Sequence, residues 1–116
     1  MNITSQLIDA LQILVIPGKA EIMQTFFKTG KGEYGEGDIF IGVTVPDQRS
    51  VAKEFYNKIS LDELSELLSS KIHEHRLTAL LMLVYKFEKT KDKTQQKEII
   101  DFYLKHTKHI NNWDLV

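Results

Sequence analysis

The residues best suited to chemistry stand at the end of the chain, Asn111-Asn112-Trp113-Asp114-Leu115-Val116, and Trp113 is the only tryptophan. Asn112 suits a helix N-cap, because its side-chain oxygen can accept from the exposed backbone N–H groups of a first turn. Trp113 would then be the first helical residue, where N–H groups point outward and anions are favoured. The side chain one turn later, at position 117, would share its face. An aromatic ring beside a carboxylate is a receptor for a cation. A lone tryptophan is more often core, so spacing alone goes no further than a candidate cation-binding edge. Only three residues follow Trp113, with no glycine, basic last turn or polar tail to close the helix. So short a helix does not hold itself together in water. The expectation is an N-terminal piece of something longer, with its chemistry on the cut edge.

The other candidates carry bland readings. His106 and His109 are three apart and share a helix face, but a metal site needs a third and usually a fourth ligand, and none has the spacing. His73 and His75 are two apart and point to different faces. Both pairs read as exposed or helix-end histidines, and no metal is expected. Gly30, Gly32 and Gly35 spell G-x-G-x-x-G. A dinucleotide turn needs a strand before it and a helix straight after; here a helix precedes, and Glu33 and Glu36 would repel a pyrophosphate. A flexible inter-helix loop is the expectation. Lys86, Lys89, Lys91 and Lys93 gather around a helix end, where cations suit the negative terminus. Phosphate contact is the functional alternative. Arg49 and Lys53, four apart, form either a basic rung or a polar outer face.

These groups must be positioned by helices. A chain of 116 residues suits one domain or half of a larger repeat structure, and 42% apolar content supports a packed core. Fifteen basic against 16 acidic residues argues against a polybasic binder, although a near-neutral total can hide a basic stripe. With no cysteine, disulfides, thiol catalysis and cysteine zinc sites are excluded. The start lacks the basic region of a signal peptide. The longest apolar run, residues 79–85, is far short of the ~20 a membrane span needs. A soluble, cytoplasmic protein is expected.

Apolar residues recur at helical spacing nearly throughout. Ile3, Leu7, Leu11, Leu14 and Val15 mark a first helix, stopped by Pro17-Gly18. Ala20, Met23, Phe26 and Phe27 mark a second, ending at Gly30. Residues 30–44, with five of the six glycines, form the one long irregular stretch, and the only strand-like run, 39–45, is broken by Gly42 and Pro46. Thr44-Val45-Pro46-Asp47 opens a third helix and Ser60-Leu61-Asp62-Glu63, a capping box, a fourth. The fifth spans residues 73–89 and is apolar on almost every side between 77 and 84, which predicts that other helices surround it. Ile99, Ile100, Tyr103 and Leu104 form the inward stripe of a sixth, and Asn112 begins a seventh. Short turns between such helices predict an all-α chain of paired antiparallel helices, stacked as a solenoid or closed into a bundle.

Four segments resemble, in order, the AlkD-type DNA alkylation repair glycosylases. They are Phe27-Lys28-Thr29-Gly30-Lys31-Gly32-Glu33-Tyr34-Gly35-Glu36-Gly37-Asp38, Gly42-Val43-Thr44-Val45-Pro46-Asp47-Gln48-Arg49, His73-Glu74-His75-Arg76-Leu77-Thr78-Ala79-Leu80 and Asn111-Asn112-Trp113-Asp114-Leu115-Val116. The resemblance runs over almost the whole chain. It implies one helical-repeat domain over 1–116, HEAT-like pairs wound into a right-handed superhelix truncated at its C-terminal edge, and a basic concave face for double-stranded DNA. It implies removal of positively charged N3- and N7-alkylpurines by hydrolysis of the N-glycosidic bond, without metal or organic cofactor.

Trp113 matches the tryptophan of the family's W-D-x-V-D motif and would bind the substrate. The catalytic aspartate of that motif falls at position 117, beyond Val116, and Asp114 reads as a helix-start residue rather than a substitute. Phe26 matches an aromatic that faces DNA in some members. No catalytic residue is therefore assigned within the chain, which is expected to be inactive by itself. A non-catalytic helical module binding DNA or protein, and a remnant that self-associates through its C-terminal edge, stay open as alternatives.

Overall fold

In the computed structural model, residues 3–26 and 39–106 are described, the side chains of 24–26 excepted. Their order is α1 (Ile3–Ile13), α2 (Lys19–Phe26), α3 (Val45–Phe55), α4 (Leu61–Leu68), α5 (His73–Lys89) and α6 (Lys93–Lys105). The all-α expectation holds. The strand-like run contributes a single parallel bridge, Ile39 to Ile72.

The helix starts follow from local hydrogen bonding. Thr44 accepts from the Asp47 N–H at 3.4 Å and, with Pro46 in the first turn, opens α3. At α4, the Ser60 hydroxyl accepts from the Glu63 N–H at 3.2 Å, while the Glu63 carboxylate accepts from the Ser60 N–H at 3.0 Å. That reciprocal pair is the predicted capping box. The bond from the Ser60 N–H is the main reason the Glu63 carboxyl sits below its usual pKa. Asp92 caps α6 by accepting from the Thr94 N–H at 2.8 Å. α5 has no side-chain cap at Ile72; instead its His73 N–H donates to the Ile39 carbonyl at 2.8 Å.

α5 is the central element, packed against α3, α4 and α6, while α1 lies on α3 and α4. The core joins Leu7 and Leu11 of α1, Val51, Ala52 and Phe55 of α3, Leu64, Leu67 and Leu68 of α4, and Ala79, Leu80, Met82 and Leu83 of α5. Each buried Leu or Phe contributes roughly 1.5–3 kcal/mol. Two expectations need correction. α5 is not enclosed along its length, because Val84 and Phe87 lie exposed on one side. Of the predicted α6 stripe, only Ile99 is buried; Tyr103 is half-buried, and Ile100 and Leu104 are exposed. No other described helix lies over that face to cover them.

Candidate functional site

The described structure fixes two approaches to the residues singled out in the sequence. Phe26 is the last residue of α2, and its side chain lies outside the described set. Trp113, with Asp114 and the predicted seventh helix, also lies outside it, as do His109 and the Gly30-Gly32-Gly35 triplet. What the fold does show is how α2 and the end of α6 are held.

α2 is held through Gly42. The Gly42 carbonyl accepts from the Ile16 N–H at 2.9 Å, which ties residues 39–44 to the turn before α2. Gly42 has φ +97°, and a Cβ there would lie 3.0 Å from the Ile16 carbonyl oxygen and 3.2 Å from the Ala20 nitrogen. Only glycine meets both demands.

The same segment is bound from the other side by Glu74, in the first turn of α5. Its fully buried carboxylate accepts from the Gly42 N–H at 2.7 Å and from the Ile41 and Val43 N–H groups at 3.1 Å. Three successive N–H groups thus form an anion-binding nest whose occupant is an internal carboxylate. Gln48 of α3, also buried, donates to the Val43 carbonyl at 2.9 Å and accepts from Thr78 of α5 at 3.5 Å. The described end of the glycine-rich stretch is therefore clamped by α3 and α5 together.

His73, His75 and His106 are at helix ends, as one reading of them expected, but they are buried rather than exposed. His73 stacks on Phe40 with centroids 4.4 Å apart. His75 Nδ1 lies 3.2 Å from the Ser70 hydroxyl, which itself accepts from the Ile72 N–H. Arg76 donates from Nη1 to the Ser70 carbonyl at 2.9 Å. Burial lowers the pKa of His75, and the neighbouring Glu74 charge offsets part of that effect.

His106 ends α6 and pins it to α4. Its Nδ1 is 2.9 Å from the Phe102 carbonyl, its Nε2 is 2.9 Å from the Ser65 hydroxyl, and its ring stacks on Phe102 at 4.2 Å. A carbonyl only accepts, so Nδ1 donates to Phe102. The point from which the segment bearing Trp113 departs is thereby fixed against the core. The burial of His106 follows from Ser65, 41 residues away, and no local sequence signal marks that partner.

Basic groups lie elsewhere. Arg49 and Lys53 are on the exposed side of α3. Lys86, Lys89 and Lys91 line a cleft of about 600 Å³ where the ends of α3, α4, α5 and α6 meet, together with Tyr56, Gln95, Asp92 and Glu98. Partial burial lowers the pKa of Lys86, against the pull of Glu63. The cleft is mixed in charge, three lysines against Asp92 and Glu98. Among the described residues there is no group of three histidine, aspartate or glutamate side chains placed to hold a metal, and no helix is long and apolar enough to cross a membrane.

Compared with models of protein families, residues 7–116 match the one described as "DNA alkylation repair enzyme". No curated protein and no solved structure matches the chain. The family match extends through the Trp113-Asp114 segment as well as through the buried Gly42, Gln48 and Glu74 clamp.

Proposed function

Because the chain belongs to the DNA alkylation repair enzyme family, we propose that it forms part of a glycosylase that excises positively charged N3- or N7-alkylpurines from duplex DNA. Alkylation gives the purine a formal positive charge, so the base is already a good leaving group. The bond from the sugar C1′ to the base nitrogen breaks, the base departs with the bonding electrons, and the sugar becomes an oxocarbenium-like cation. A fixed carboxylate stabilises that cation and orients the attacking water. In the family's motif this acid stands at the position after Val116. Trp113 supplies the aromatic wall, whose cation–π attraction is roughly 0.5–2 kcal/mol. Phe26 faces the duplex from the end of α2. The helices stack as a HEAT-like superhelix, and Arg49, Lys53, Lys89 and Lys91 are the exposed cations available for phosphates.

The observation that carries this reading is the family match over a stretch that includes Trp113 and Asp114. The pinned end of α6 supports it, since a catalytic wall must leave from a rigid element. The test is release of 7-methylguanine from methylated duplex DNA by the complete gene product. Release is expected, with Trp113→Ala lowering it by about 2- to 30-fold, the rate equivalent of the missing cation–π attraction. A folded protein that releases no base while binding duplex with a steep salt dependence would be a non-catalytic DNA-binding module instead. A flat salt dependence would remove phosphate contacts from the account.

A further inference from the structure

The lysine-lined cleft of about 600 Å³ opens where α3 and α5 end and α4 and α6 begin. Its place follows from the helix directions. Gly42 and Val43, just before α3, meet Glu74 in the first turn of α5. Tyr56 meets Tyr85 near the other ends of the same two helices, with centroids 5.9 Å apart. α3 and α5 therefore run side by side in one direction, and α6 returns beside α5. At about 1.5 Å per residue, the 13 residues of α6 set His106 roughly 20 Å from the cleft. The chain leaves toward Trp113 from that far end, so the cleft stands apart from the point that feeds the candidate repair site.

We propose that this cleft is a second binding site and that it takes a mononucleotide, with the phosphate on Lys86, the ribose hydroxyls on Glu98 and the base against Tyr56 and Leu61. Three observations lead there. The first is size: small-molecule sites span about 300–1,000 Å³ and combine an apolar lining with a few polar groups that fix orientation. The second is charge. Lys86 and Lys89 are three apart on the last turns of α5 and share a face, and Lys91 follows in the turn to α6. Lys86 is half-buried and is drawn by Glu63 from the α4 side, whereas Lys89 and Lys91 are exposed. Lys86 is therefore the anchor, and the other two add attraction for an anion from farther out. Of the two lining carboxylates, Asp92 accepts from the Thr94 N–H at 2.8 Å, and the positive start of α6 offsets its charge. The third is the rest of the lining. Tyr56 and Leu61, both half-buried, offer an aromatic ring and an aliphatic surface. Gln95 accepts from the Thr90 hydroxyl at 2.8 Å and keeps its amide N–H groups as donors. Glu98 is acceptor-only when ionised. A bare anion would be repelled by Glu98 and would not use the apolar lining, and a neutral apolar ligand would not use the lysines. A nucleotide engages all three kinds of group. The proposal does not rest on the glycosylase reading.

The test is calorimetric titration of the complete gene product with adenosine monophosphate, adenosine and inorganic phosphate. The nucleotide is expected to bind at least about tenfold more tightly than either of its parts, because phosphate and base are held by different groups of one site. Lys86→Met, which keeps the apolar stem, is expected to bring the nucleotide down to the level of adenosine. The nucleotide is also expected to bind about tenfold more tightly than its 2′,3′-dideoxy analogue, and Glu98→Ala to erase that preference, as the loss of a charged acceptor requires. Inorganic phosphate binding as tightly as the nucleotide would make the cleft a plain anion site and overturn the proposal. So would a folded protein that binds no nucleotide, and so would nucleotide binding that neither substitution changes, which puts the ligand elsewhere. Glu98 is exposed, so Glu98→Ala keeps the test decisive should Lys86→Met lower the melting temperature.

Discussion

Replacing Glu74 should unfasten the clamp that seats residues 39–44. The carboxylate is fully buried and takes three backbone N–H groups at 2.7–3.1 Å. Glu74→Ala leaves those donors without the acceptor. Each unsatisfied buried donor costs about 1–3 kcal/mol, which would sum to roughly 3–9 kcal/mol if nothing moved. Ile41 is only partly buried, so its N–H can turn to water, and the expected net loss is about 3–5 kcal/mol. Against a typical total of about 5–15 kcal/mol, that is enough to unfold much of the population at physiological temperature. Glu74→Gln is the sharper variant. It keeps the size, but one of its two terminal groups becomes a donor facing donors, and about 2–4 kcal/mol is expected. Urea denaturation gives the stability difference, and amide exchange at Ile41, Gly42 and Val43 locates it. If Glu74→Gln stays within about 0.5 kcal/mol of the parent with Gly42 still protected, the carboxylate is not what holds the segment, and the reasoning fails.

Gly42→Ala is expected to lower stability by about 1–3 kcal/mol in thermal melts, because a Cβ at positive φ would also press on the Ile16 carbonyl. For His75, burial lowers the folded-state pKa below the unfolded value, so the unfolded chain binds more protons as pH falls. Its contribution is complete above the ordinary histidine value of about 6.5 and is lost as pH drops from there through the lowered one. Stability measured across that range should fall with acid, and His75→Asn, which keeps an acceptor for Ser70, should flatten the slope. Lys89→Gln with Lys91→Gln should reduce the salt dependence of duplex binding by about one unit of slope for each phosphate no longer neutralised. An unchanged slope in filter binding would place the duplex elsewhere.

How much could be read without the structure is clear from particular elements. The starts of α3 and α4 and the stop after α1 were legible, because each is decided inside one turn: Thr44 with Asp47, Ser60 with Glu63, the Pro17-Gly18 break; the span of α5 was legible from its apolar run, not from a cap. The family was also legible, from four segments in the right order, and the family match over residues 7–116 agrees with it. Apolar spacing went less far. It marks Ile100 and Leu104 as belonging to one stripe, but whether a stripe is covered depends on which neighbour arrives, and both are exposed among the described residues.

The chain by itself thus determined the local elements and the family, since neighbours within four residues decide helix caps and periodicity. Only the tertiary structure decided the fate of the polar residues. His75, Glu74 and His106 resemble surface residues in a one-dimensional reading, yet Glu74 finds Gly42 32 positions away and His106 finds Ser65 41 away. A buried charge or imidazole is tolerated only where such a partner waits, and the partner is supplied by the packing of helices, not by the residues beside it in the chain.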